Sequence, residues 1–403
     1  MPEALPAFSA YGIELEYMLV DRDTLNVRPI ADQLLAALPA SDSIVNCSNE
    51  LVNHVIEIKN PVPTDLARLP DAFQHQVHQL NAWLAGQNAC LLPTAMHPWM
   101  NPTRETVLWP DDDAGIYATF DKLFDCRRHP WANVQSMHIN LPFANDLEFE
   151  KLHTAIRVLL PILPAIAASS PIAGGKLTGY MDYRMHVYPG QSPSQARIVG
   201  DIIPEVVKTQ ADYRSQVLAP MYHDIASFDK QQCLQHEWLN ARGAIARFDR
   251  HAIEIRVMDV QECPHADIAL AGLVIDTVHA LYHEQCSSLA TQQSLSGSML
   301  SDLLAQCSLD AEETQIHTLY LPAWGLSDKC INARELWRHI GELLRRARSA
   351  HSALWQQHLD YLLEYGPLAR RILRCTGENP STQVLYQTYQ ALTQRLGSGT
   401  VFG

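Results

Sequence analysis

The sequence has no CxxC pair, no surplus of basic residues and no uninterrupted apolar run of membrane-spanning length. Each absence excludes something. The nine cysteines are scattered and odd in number, a pattern expected of free thiols in a reducing compartment rather than of a disulfide framework. Thirty Lys and Arg stand against 44 Asp and Glu, a net charge of −14; this argues against nucleic acid or an anionic membrane as partner, since both demand a basic surface. The most apolar stretch, VLLPILPAIAASSPIAGG, is interrupted by Pro161, Pro164 and Pro171, and a span needs about 20 apolar residues. The opening MPEALPAFSA lacks a basic n-region and an apolar h-region, so no signal peptide is expected and a cytoplasmic location is. Several catalytic signatures are also missing. There is no GxxxxGK[ST] loop and no GxSxG elbow, and HEWLN (236–240) and HEQCS (283–287) lack the second histidine of a zinc-protease helix.

What is present is an ordinary globular composition, 47% hydrophobic and 18% charged over 403 residues, without internal repeats or a low-complexity linker. That length can bury a large core. Strand-like stretches are expected at 12–20, 52–59, 134–141 and 252–260. Between them, Phe73, Val77, Leu80 and Leu84 recur at helical spacing within 71–87. A second helix is expected over 147–171, kinked or ended by Pro161 and Pro164, and a third over 266–285. Beyond about 287 the pattern is almost wholly helical. Strands first and helices last suggest an α+β architecture rather than alternating βα units. The expectation is a single catalytic domain, 1–403, with its sheet region at about 10–285 and a helical region at about 287–395. The long polar loop 190–204 is a candidate lid.

The four expected strands share an oddity. In YGIELEYMLVD, Glu14 and Glu16 lie on one face, opposite Ile13, Leu15 and Tyr17. Like charges at this spacing repel, and burial makes the repulsion worse. In NELVNHVIEIKNP, Glu57 and Lys59 oppose Ile56 and Ile58, with Glu50 seven residues before Glu57. In SMHINLPF, Ser136, His138 and Asn140 share a face; in HAIEIRVMDVQE, Glu254 and Arg256 do. One such strand reads as a sheet with a solvated face. Four together, carrying mainly Glu, His, Asn and Arg, point to metal and phosphate. Residues i and i+2 stand roughly 6.5–7 Å apart, so paired acids can surround cations a few ångströms apart. Oxygen ligands with one imidazole favour Mg²⁺ or Mn²⁺ over zinc. Arg256 beside Glu254 suits an anion held next to the metal.

The segments GIELEYMLVD, NELVNHVIEIKNPVP, TAMHPWM, SMHINLPF, AASSPIAGGKLTGYMDYR and ARFDRHAIEIRVMDVQECPHADIALAGLV, in this order, resemble the carboxylate–amine ligase branch of the glutamate–cysteine ligase superfamily over roughly 10–285. The resemblance implies a glutamine-synthetase-like fold, in which a curved antiparallel sheet carries the active site and helices pack on its outer face. It implies that Glu14, Glu16, Glu50, Glu57 and Glu254 are metal ligands and that His138 completes a metal or nucleotide-phosphate contact. It also implies that Arg256 binds phosphate, with Asn140 and Arg247 as further nucleotide contacts, and that Tyr180 and Arg184 lie near the amino-acid substrate. Arg256 and Arg184 are then the candidate catalytic groups. Relatives often carry a third acid where Leu15 stands and a second histidine where Asn140 stands. The implied reaction uses ATP and Mg²⁺ (or Mn²⁺). ATP phosphorylates the side-chain carboxylate of glutamate, and an amine, cysteine or a related one, attacks the acyl phosphate.

The residues by themselves reach only as far as a divalent metal and phosphate on a sheet; glutamate and cysteine come from the resemblance. A guanidino-kinase-like phosphotransferase and a non-catalytic nucleotide- or metal-binding protein on the same fold stay open as alternatives, as does assembly into a homo-oligomer. The expected partners are small molecules, with no nucleic acid and no membrane.

Overall fold

The computed structural model describes residues 4–38, 45–62, 65–110, 115–191, 198, 200–327 and 330–403. Nine strands occur among them: β1 (Gly12–Asp21), β2 (Asn46–Asn49), β3 (Val55–Lys59), β4 (Ala89–Leu92), β5 (Ser136–Pro142), β6 (Ile172–Ala173), β7 (Lys176–Leu177), β8 (Ala244–Arg247) and β9 (Ala252–Asp259). Seven form one sheet in the order β2-β3-β1-β5-β9-β8, with β4 pairing the second half of β1; β6 and β7 make a small separate hairpin. Every pairing is antiparallel. The four expected strands are present. β2, β4, β8 and the β6–β7 hairpin were not expected; each is four residues or fewer, too short for alternation to show.

Alternation along the long strands divides the sheet. Ile13, Leu15, Tyr17 and Leu19 of β1, with Ile56, Ile58, Met137, Ile139, Ile253 and Ile255, enter one continuous core. Burial of such side chains contributes about 1.5–3 kcal/mol each. Helices cover this face. Helix Leu69–Ala85 brings Phe73, Val77, Leu80 and Leu84 to the core, as its spacing predicts. Helix Asp146–Leu159 starts where the Asn145 side chain accepts from Glu148 N and ends just before Pro161. The chain then tightens into a 3₁₀ turn at Leu160–Ile162 and a short helix at Pro164–Ala167. The prolines remove amide donors and interrupt the α-ladder. Helix Pro264–Tyr282 is apolar almost all round and nearly wholly buried.

The chain beyond 287 is helical, as expected, with helices Gly297–Asp310, Ala333–Ala347, Ser352–Tyr365, Leu368–Thr376 and Thr382–Ser398. It packs into the same core. Trp337 Nε1 donates to Ile162 O at 3.0 Å, and Trp355 Nε1 to Asp276 at 2.8 Å. Leu385, Tyr389 and Leu392 cover Met18 and Val20, which share their face of β1 with Glu14 and Glu16. One strand face therefore turns from carboxylate to hydrocarbon halfway along, and the closing helix bounds the polar patch. No helix among the described residues is long and apolar enough to cross a membrane. Residues 192–197 and 199 of the expected lid, 190–204, lie outside the described residues.

Candidate active site

Register brings the polar side chains together. Glu16 lies across from Glu57, Glu14 across from both Lys59 and His138, and Asn140 across from Glu254. Cross-strand neighbours on one face sit about 4.5–5.5 Å apart. The result is a floor of acids and bases spanning five strands, four of them expected from the sequence and the fifth, β8, carrying Arg247.

His138 is the hub. Its Nδ1 is 3.1 Å from Glu14 Oε2 and 3.7 Å from Glu254 Oε1; its Nε2 is 2.8 Å from Ser136 Oγ and 3.8 Å from Glu16 Oε1. Ser136 passes both its hydroxyl (3.0 Å) and its amide (2.7 Å) to Glu16 Oε2. With both ring nitrogens protonated, each link has one donor and one acceptor. Electrostatics agree. Burial disfavours the imidazolium, but the Glu14 hydrogen bond and the charges of Glu16 and Glu254 raise the His138 pKa. Burial likewise works against the Glu14 carboxylate, yet the hydrogen bond and charge of His138, with Lys59 and Arg250, hold it down at about 2.

Two further groups complete the floor. Burial and the neighbouring acids Glu16, Glu57 and Glu14 push the Glu50 carboxyl well above its ordinary range. Burial and Glu14 raise Glu57, although Lys59 Nζ lies 2.5 Å from Glu57 Oε1 and Ser48 Oγ donates to the same atom at 2.9 Å. On the other side, Arg247 Nη1 donates to Glu254 Oε2 at 3.1 Å, and Arg256 Nε is 2.9 Å from Glu254 Oε1. Burial opposes the Arg256 charge, but Glu254 more than compensates and raises its pKa.

Above the floor is a cavity of about 740 Å³. Glu16, Glu50, Glu57, His138, Arg184, Arg247 and Arg256 line it; Glu14, Asn140, Tyr180 and Glu254 do not. Glu14 and Glu254 nevertheless join His138 in a cluster whose ligand atoms lie within 4.8 Å of one another, the arrangement among the described residues that could hold a metal ion. The donor set fits a hard divalent cation, being two carboxylates and one imidazole.

The other expected residues are distributed unevenly. Asn140 donates to Glu14 Oε1 at 3.2 Å and so orients the acid. Arg184 is buried. Its Nε donates to Asp259 at 2.6 Å and both terminal nitrogens reach Arg256 O at 3.3 Å. Tyr180 stacks on His186 with ring centroids 4.0 Å apart, away from the cavity. Sequence reasoning missed Arg250, whose Nη1 is 3.6 Å from Glu14 Oε1. Its signal was the turn between β8 and β9, invisible until β8 is recognised. It also missed the aromatic wall of Trp109, Tyr117, Phe120, Trp131 and Trp238, which comes from separate loops and short helices without shared periodicity.

The family model for glutamate–cysteine ligase family 2 matches residues 10–319. An uncharacterized protein of Archaeoglobus fulgidus is 35% identical over 270 residues, covering 65% of this chain and 72% of that protein. A Pseudomonas putida protein, whose name marks glutamate–cysteine ligase 2 as a provisional assignment, is 26% identical over 217 residues, 50% of this chain and 52% of its own length. The chain thus spans about half of that named relative. Among solved structures, the glutamate–cysteine ligase of Francisella tularensis in complex with AMP superposes with a TM-score of 0.62 at 14% identity, covering 96% of this chain and 89% of that one. A bifunctional glutathione synthetase from Pasteurella multocida gives 0.56 at 12% identity, covering 96% and 51%. At such identities the likeness is one of fold.

Proposed function

Since the chain belongs to glutamate–cysteine ligase family 2, we propose that it is an ATP-dependent carboxylate–amine ligase that joins an amine to the side-chain carboxylate of glutamate through an acyl phosphate. The observation that carries this reading is the Glu14–His138–Glu254 cluster, which meets one large cavity through His138, with Arg247 and Arg256 beside it on the cavity lining. Carboxylates that hold a cation and guanidiniums that hold phosphate are what phosphoryl transfer requires of a protein.

Two steps follow. A carboxylate oxygen of the acid attacks the γ-phosphorus of ATP, the bond from that phosphorus to the bridging oxygen breaks, and ADP leaves. The amine lone pair then attacks the acyl carbon, the carbon–oxygen bond to phosphate breaks, and phosphate departs with the electron pair while the nitrogen loses its proton. Glu14, His138 and Glu254 would hold Mg²⁺ or Mn²⁺, and Glu16, Glu50 and Glu57 form a second acidic group open to a further cation. Such cations, when bound, offset phosphate charge. Arg256 and Arg247 face the group in transfer and stabilise its developing charge. Arg184, pinned by Asp259, holds the Arg256 carbonyl and thereby the strand that presents Arg256. No nucleophilic side chain is needed.

Phosphate release from ATP, measured with L-glutamate and hydroxylamine, tests the reading. Hydroxylamine intercepts an acyl phosphate as a hydroxamate whatever the native amine. Hydroxamate formation dependent on ATP and glutamate is expected. A stable phosphorylated product without amide would identify a phosphotransferase, and no turnover with ATP bound would identify a binding protein.

A further inference from the structure

The cavity has a floor of charge and a roof of aromatic rings. Phe120, from helix Ile116–Phe124, is the centre of the roof. Its ring lies 4.8 Å from Trp131 at 90° and 5.9 Å from Trp238. Trp109 and Tyr117 extend it over the edge formed by β2 and β3: Trp109 N donates to Leu51 O at 3.0 Å, and Asn49 Nδ2 donates to the Tyr117 hydroxyl at 2.9 Å. That edge carries Glu50 and Glu57, with Glu16 next to them on β1. The arginines stand at the other end, on β8 and β9. Anionic phosphates are drawn to the arginine end, and an ammonium to the end where carboxylates meet aromatic faces.

The cations lining the cavity are already matched. Among the described residues these are Lys59 with Glu57, Arg184 with Asp259, Arg247 with Glu254 and Asp249, Arg250 with Glu14, and Arg256 with Glu254. ATP and an amino-acid carboxyl donor already bring phosphates and an α-carboxylate to these groups. An acceptor such as cysteine would add another carboxylate beneath the aromatic rings, where every cation among the described lining residues already has a carboxylate partner. Burying an unpaired charge is strongly unfavourable.

We propose that the acceptor is a primary amine without a carboxylate and with an apolar, ring-sized body, which seats its ammonium over the acidic edge and its body under Trp109, Tyr117 and Phe120. This rests on the ligase reading and narrows it. In the transfer step the ammonium gives up one proton to solvent and the neutral amine attacks. Its second proton leaves with the phosphate as hydrogen phosphate when the amide forms.

The test compares amines that differ only by a carboxylate, using the full chain with Mg²⁺, ATP and L-glutamate. The pairs are cysteamine against L-cysteine and phenethylamine against L-phenylalanine, with amide product measured by mass spectrometry. The carboxylate-free member of each pair should have the higher kcat/KM, by about tenfold or more, and phenethylamine should exceed cysteamine. Trp109→Ala should raise KM for phenethylamine about fivefold or more, on the scale of a lost aromatic contact, while KM for ATP stays within about twofold. L-Cysteine equal to or better than cysteamine would overturn the proposal, and so would a Trp109→Ala effect confined to ATP, because the roof would then hold the nucleotide base. Hydroxamate formation separates the two levels. Hydroxamate with a preference for cysteine removes only this proposal, whereas no hydroxamate and no amide with any amine removes the ligase reading and this proposal with it.

Discussion

Glu14 held at about 2 beside an imidazole with a raised pKa is the signature of a place that requires positive charge. Replacing either Glu14 or Glu16 should therefore disable the protein without unfolding it. Glu16→Gln keeps the shape and the Ser136 contacts but removes one charge; turnover should fall at least about tenfold, with circular dichroism unchanged. Near-normal turnover in the folded variant would remove Glu16 from the cation site. EDTA should abolish activity, and Mg²⁺ or Mn²⁺ should restore it better than Zn²⁺, since the ligands are mainly carboxylate; titration of activity against each metal reads this directly. Arg256 poses a sharper question, because its contact with Glu254 is compatible with a purely structural ion pair. Lysine keeps the charge but not the planar fork. Arg256→Lys should lower turnover about tenfold or more with little change in melting temperature. A large fall in melting temperature with turnover retained in the folded fraction would favour the ion-pair role.

At the scale of elements, the site depends on how β8 and β9 meet. Gly243, just before β8, accepts from Arg256 N at 2.9 Å through its carbonyl. A Cβ there would lie 2.6 Å from Val257 Cγ1 and 2.9 Å from the backbone oxygen of Ile202, so the strand has to shift. Gly243→Ala should cost about 1–3 kcal/mol of stability and lower turnover as well, because the same shift moves Arg256. Chemical denaturation and kinetics on one preparation would reveal both, and an unchanged denaturation midpoint would contradict the close approach. Long strands and helices were legible because their periodicity repeats over many residues. β1 with its two faces and helix Leu69–Ala85 with its apolar stripe follow from spacing. β2 and β8 did not, since four residues carry too little pattern, and with β8 went Arg250 at its turn.

At the scale of the molecule, the C-terminal segment is pinned from within. Arg371, 2% exposed, pairs with Glu262 at 2.5 Å and also reaches Phe402 O, while Phe402 N donates to the same Glu262 oxygen at 3.2 Å. Burial raises the Glu262 carboxyl, but the charge and hydrogen bond of Arg371 outweigh it and leave the pKa below its ordinary 4.5. A depressed carboxyl stabilises the fold above its unfolded value, and that contribution is lost as pH falls through the lower folded value. Melting temperature should therefore drop on acidification below 4.5, and Glu262→Gln, although less stable throughout, should show a shallower drop over the same interval. Parallel melting profiles would exclude the Glu262–Arg371 pair as a source of acid sensitivity.

The sequence alone determined the long strands, their polar face, the major helices and the Glu, His, Asn and Arg side chains proposed to hold cation and phosphate, because alternation and helical spacing are local properties of the chain. Tertiary structure decided which of those side chains meet. Antiparallel register selected Glu14, His138 and Glu254 as a cluster, since pairing across strands depends on residues more than a hundred positions apart. Packing tied Arg184 to Asp259 and turned Tyr180 onto His186, contacts that no spacing encodes. The aromatic roof was likewise invisible in one dimension: Trp109, Phe120, Trp131 and Trp238 belong to four separate segments, and only the folded chain brings them over one floor.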